Sequence, residues 1–92
     1  MRKLQEETMK LYENRSRKSP VVAYEFGDDS ITIKFFDGSV YVYTYESAGN
    51  ANVEQLKKYA LIGHGLNGFL TRFLSKGAGI KIQQDSEAKI LN

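Results

Sequence analysis

The sequence predicts an α+β domain, an antiparallel sheet followed by helices, and three observations carry that prediction. Residues 30–45 hold two alternating runs joined by Asp37-Gly38, a dipeptide that tolerates the positive φ angles of a tight hairpin. Residues 53–76 carry apolar side chains at helical spacing. The links between the candidate strands are too short for a crossover, so neighbouring strands must run antiparallel. The 92 residues amount to one domain. Such a chain builds one small core with little surplus stability.

In chain order, residues 2–17 predict a helix, with Leu4, Thr8, Leu11 and Tyr12 at helical spacing among charges. The apolar stripe is narrow, Met1 and Met9 fall off its centre, and a lone helix of this length is marginal in water. It is expected to dock or to fray. Ser19-Pro20 ends it, because the residue before proline is pushed out of the helical region. Val21–Phe26 reads as a first strand closed by Gly27-Asp28-Asp29. With strands at 30–36 and 39–45 it makes a three-stranded antiparallel meander. A three-residue loop at 27–29 would send Val22, Tyr24 and Phe26 to the tyrosine side, and a shift of one residue would send them to the other.

Counting outward from a two-residue loop at Asp37-Gly38 pairs Phe36 with Ser39, Phe35 with Val40, Ile33 with Val42 and Ile31 with Thr44. Alternation then sorts the hairpin into two faces. Ile31, Ile33, Phe35, Val40 and Val42 form an aliphatic face that needs a cover. Thr32, Lys34, Phe36, Tyr41, Tyr43 and Tyr45 form an aromatic ladder.

Residues 46–51 are a connector of small turn residues, and Asn52 with Gln55 resembles a capping box. Val53, Leu56, Tyr59 and Ala60 predict a helix over about 53–62, stopped by Gly63. Leu66, Phe69, Leu70, Phe73 and Leu74 predict a second over about 66–76, stopped by Gly77. Burying such side chains is worth on the order of 2 kcal/mol each, which makes this helix the expected cover of the aliphatic face. Ile80–Ile82 can add a short edge strand. The expected organisation is therefore a helical extension (1–18), a domain (19–82) and a polar tail (83–92).

Several functions are disfavoured. Without cysteine there is no disulfide, thiolate nucleophile or thiolate metal site. No apolar run approaches the ~20 residues that cross a bilayer, and residues 1–7 lack the apolar core of a secretion signal, so a cytoplasmic location is expected by default. His64 is the single histidine, and nothing in the spacing brings it a serine and an acid. No catalytic residue, enzyme activity or cofactor is expected. Glu25, Asp28, Asp29 and Asp37 belong to strand ends and turns, where Asp is a local turn former, so no metal site is expected either. Gly63-His-Gly-Leu-Asn-Gly68 spells G-x-G-x-x-G, but a dinucleotide fingerprint follows a strand inside a βαβ unit, and here a helix precedes it. Gly65-Leu-Asn-Gly68 as a backbone-clamping loop is a weaker reading, since its middle residues carry no charge.

Charge is unevenly spread. Residues 55–84 contain Lys57, Lys58, Arg72, Lys76 and Lys81 and no acid, whereas the strand region 19–46 is acidic. Such asymmetry can steer a polyanion to one surface, although solvated helix faces account for it equally well.

Phe36-Asp-Gly-Ser-Val-Tyr-Val-Tyr-Thr-Tyr45, followed by a helix and then Gly65-Leu66-Asn67 entering a second, resembles the KTSC family. These are small domains with a Tyr-x-Tyr motif, found alone in bacterial proteins and at the C-terminus of some lysyl-tRNA synthetases. The resemblance covers roughly residues 19–76 and maps the motif onto Tyr41 and Tyr43, with Tyr43 and Tyr45 as the alternative. The chain departs from the family in lacking a proline in the connector 46–52. RNA binding has been the suggestion for the family, so the resemblance implies a non-enzymatic module for single-stranded RNA or tRNA. Sheet-borne aromatic rings stack bases, and the expected site is Tyr41, Tyr43 and Lys34 with Lys57, Lys58, Arg72 and Lys76 as phosphate contacts. The rival expectation is a protein-interaction or homodimer module using residues 2–17 and the aromatic face, since an exposed aromatic patch usually marks such a site.

Overall fold

The computed structural model describes residues 9–74 and 78–83, the side chains of Phe73 and Gln83 excepted. Among the described residues it is an α+β fold with five strands and three helices. The strands are β1 (Lys10–Leu11), β2 (Val21–Gly27), β3 (Ser30–Phe35), β4 (Val40–Thr44) and β5 (Ile80–Gln83). They lie side by side in chain order and every pair is antiparallel. The helices are α1 (Tyr45–Ala48), α2 (Asn50–Ile62) and α3 (Leu66–Phe73).

The expected N-terminal helix is corrected over residues 9–17, and its residues 2–8 lie outside the described part. Lys10 and Leu11 pair with Tyr24 and Ala23 instead. Tyr12 donates its backbone N–H to Val22 at 2.9 Å. A marginal helix gives way here to backbone bonds along an open sheet edge. The turn that follows is built on Asn14, which takes a positive φ of 50°, a conformation asparagine tolerates better than most residues. Its amide grips Ser19 twice, accepting from the backbone N–H at 3.1 Å and donating to the carbonyl at 3.0 Å.

The expected hairpin register is also corrected, by one residue. Ile33 faces Tyr41, Ile31 faces Tyr43, and Lys34 faces Val40. A two-residue type I′ loop needs positive φ at both central residues. Only Gly38 has it, at 91°, while Asp37 does not. The loop is therefore Phe36-Asp37-Gly38, closed by Phe35 N–H to Ser39 O and Gly38 N–H to Phe35 O, both at 2.9 Å. Asp37 braces it by accepting from the Ser39 N–H (2.9 Å) and hydroxyl (2.6 Å).

A one-residue slip moves a whole strand's side chains to the other face. Tyr41 and Tyr43 consequently join Ile31, Ile33 and Phe35, while Val40 and Val42 join Thr32 and Lys34. The turn Asp28-Asp29 sets Tyr24 opposite Ile33, on the same face as the two tyrosines. Tyr45 leaves the ladder to begin α1, whose N-cap Thr44 exchanges hydrogen bonds with Ser47.

The helices pack on this shared face. α2 begins at Asn50, earlier than expected, and Asn52 is not its cap: its amide donates to the Ala48 carbonyl at 2.8 Å. Val53, Leu56 and Ala60 of α2 are buried with Ile31 and Ile33. From α3, Leu66 and Leu70 are buried and Phe69 packs in part, as does Leu74 just beyond its end. The deep cover is thus shared, with α2 supplying more of it than the sequence suggests. α3 ends at Phe73, and Leu74 is already extended at φ −115°, ψ 136°. The end expected near 76 falls on residues 75–77, outside the described part. Tyr12 ties the N-terminal segment in, its buried phenol oxygen accepting the Leu66 backbone N–H at 3.3 Å.

Candidate functional site

The helices pack on one face of the sheet, and among the described residues its Phe35 and Tyr41 side chains near the β3–β4 loop are only partly buried. There the face opens into a groove of about 390 Å3 between the sheet and α3. Phe35, Tyr41 and Tyr43 line one wall, and Asn67, Leu70, Thr71 and Leu74 line the other. Spacings of three and four residues put the α3 side chains on one helix face. A second concavity of about 240 Å3 adjoins it at the loop, lined by Pro20, Phe35, Phe36, Asp37, Ser39 and Tyr41. The two share Phe35 and Tyr41, whose rings meet edge to face at 90° with centroids 5.9 Å apart, a favoured arrangement for an aromatic pair.

Tyr43 is a wall of the groove rather than a platform. It is 8% exposed, and a Cβ at Gly79 would fall 2.6 Å from its ring, so the backbone there passes almost in contact with it. Burial, and secondarily the nearby Tyr41, push its hydroxyl above the usual 10.0. Tyr41 is half-buried and lies in both concavities. On β5, Lys81 pairs with Tyr41 and sets its ammonium 5.8 Å from the ring centroid. At the loop, the hydrogen bonds from the Ser39 hydroxyl and N–H hold the Asp37 carboxyl below the usual range, and Lys81 adds to this.

The structure does not gather the other expected residues around the tyrosines. Lys34 faces the opposite side of the sheet, because the strand neighbour of Tyr41 is Ile33. Lys57 serves the β2–β3 turn, donating to the Gly27 and Asp28 carbonyls at 2.8 and 3.3 Å. It also pairs with Glu54 at 3.5 Å and lies 5.5 Å from the Phe26 ring. Lys58 is exposed on α2, and Arg72 is exposed in the last turn of α3. Lys76 lies outside the described residues.

His64 is exposed in the turn between α2 and α3. Gly68 sits inside α3, so residues 65–68 form no clamping loop. Asn67, Thr71 and Lys81 are the site residues that the sequence reading did not single out. Asn67 and Thr71 follow the i, i+3, i+4 rule once the inward face of α3 is known, and Lys81 needs β5 to be placed. No described helix is long and apolar enough to cross a membrane.

Comparison with family models, with curated proteins and with solved structures finds no match for this chain. These comparisons lend no support to the resemblance to the KTSC family.

Proposed function

We propose that this chain is a small non-enzymatic binding module for single-stranded RNA, with the groove between Tyr41 and α3 as its base-stacking site. The observation that carries the reading is Tyr41 itself, half-open at a concave aromatic wall with a lysine ammonium beside its ring. An unpaired base stacked on such a ring gains ~1–3 kcal/mol, and cations alongside take the phosphates. The groove is large enough to hold a small ligand. The half-buried Asn67 amide makes no hydrogen bond among the described residues and lines the groove. Amides of this kind read base edges. Lys81 takes the place of Lys34 and Lys57 as a phosphate contact, Arg72 is kept from the expected set, and Lys58 and Lys76 have a long-range steering role. The resemblance to the KTSC family, whose motif maps onto Tyr41 and Tyr43, supports the same reading. The homodimer alternative loses the helical form of residues 9–17 on which it leaned.

Titration of mixed-sequence single-stranded RNA across a salt series tests this. Tyr41→Ala is expected to weaken binding roughly five- to a hundred-fold, the worth of one stack. Lys81→Ala should lower the salt slope by about one phosphate contact. An absence of binding at low salt, or indifference to Tyr41→Ala, would overturn the reading.

A further inference from the structure

We propose that the concavity at the β3–β4 loop is a second binding site, specific for a methylated ammonium group. Three aromatic rings line it: Phe35, Phe36 and Tyr41, with Pro20 at the edge. The Phe35 and Tyr41 planes are perpendicular, so they make two walls of a corner. Phe36 is 76% exposed at the loop, where a buried role would leave it covered. Asp37 supplies the negative charge. One of its carboxylate oxygens is fixed by both Ser39 donors.

Aromatic faces beside a carboxylate attract cations, and a poorly hydrated methylated ammonium gains most from such rings. At about 240 Å3 the space lies below that of drug-sized pockets, which suits a headgroup rather than a whole cofactor. Lys81 lies near the concavity without lining it: its ammonium is 5.8 Å from the Tyr41 ring and it acts on the Asp37 carboxyl. The Asp37 carboxylate and the ring faces favour a cation in this corner. From its position nearby, the Lys81 charge repels an incoming cation. The concavity shares Phe35 and Tyr41 with the RNA groove, whereas Phe36 and Asp37 belong to it alone, and Lys81 has opposite roles in the two.

The test is titration of the full chain with choline chloride, and separately with a trimethyl-lysine peptide and its unmodified counterpart, followed through ring proton NMR. Saturable shifts of the Phe35, Phe36 and Tyr41 rings are expected with both methylated probes, and none with the unmodified peptide or potassium chloride. Equal affinity for choline and peptide would identify the headgroup alone as the ligand, and a tighter peptide would identify a methylated lysine side chain. Phe36→Ala and Asp37→Asn should each weaken binding by roughly three- to thirty-fold, the range of one cation–π contact. Lys81→Met should strengthen it severalfold while weakening RNA, and Phe36→Ala should leave RNA affinity unchanged, so the two readings fail separately. No saturable shift with either methylated probe, or weaker choline binding in Lys81→Met, would overturn the proposal.

Discussion

Tyr41 and Tyr43 stand two residues apart on one strand and face the same side of the sheet, yet they occupy different worlds. Tyr43 lies opposite Ile31, against the Gly79 backbone, and has almost no contact with solvent. Tyr41 lies opposite Ile33, beside Lys81, at the mouth of two concavities. Among the described residues, the difference lies in what packs against each ring. Leu66 and Leu70 seal the sheet, whereas α3 ends at Phe73 and Leu74 is extended. Identical side chains with identical strand positions thus divide into a structural and an accessible one, and a Tyr-x-Tyr motif read from sequence cannot say which is which.

Alanine substitution is the strongest way to break this comparison. Tyr43→Ala is expected to lose about 3–5 kcal/mol, as large aromatic truncations in a core do. Tyr41→Ala should lose about 1 kcal/mol, mostly its contact with Phe35. Urea denaturation of both variants checks the contrast, and equal losses would place Tyr41 in the core as well.

Gly79→Val probes the tight side of Tyr43 and should cost about 1–3 kcal/mol by overpacking. Combining it with Tyr43→Leu should recover part of that loss in a double-mutant cycle. Strict additivity would show that the Gly79 contact does not matter.

The smallest effect is in alkali. Burial holds the Tyr43 and Tyr12 hydroxyls above 10.0, with the Leu66 N–H opposing the rise at Tyr12. A raised folded value means that the folded state keeps its proton longer than the unfolded chain does. The associated stability is complete below pH 10 and is lost as pH rises through the raised values. Tyr43→Phe should therefore flatten the fall in urea midpoint above pH 10. An unchanged slope would show that Tyr43 ionises as freely folded as unfolded.

The sequence reading went furthest where a signal is local. Apolar periodicity located α2 and α3, and alternation located strands. The hairpin register could not be read from Asp-Gly alone, because the dipeptide serves both two- and three-residue loops. The useful local clue was Ser39, two residues after Asp37, where an aspartate can brace its own turn. That single residue of register carried the tyrosines from the supposed outer face to the covered one. Likewise, Lys10 and Leu11 had helical neighbours in sequence but a strand edge in space.

What the sequence determined by itself was the class: an antiparallel sheet and amphipathic helices, because side-chain period and turn chemistry are properties of neighbouring residues. The tertiary structure alone decided that Tyr41 is open and Tyr43 closed, that Lys34 faces away, and that Lys81 and Asn67 join the site. Those outcomes depend on pairing register and on where a helix stops over a sheet. The register is fixed at the local turn Phe36-Asp37-Gly38, where Asp-Gly alone is ambiguous, while the cover is set by contacts between residues far apart in the chain, which no local pattern encodes.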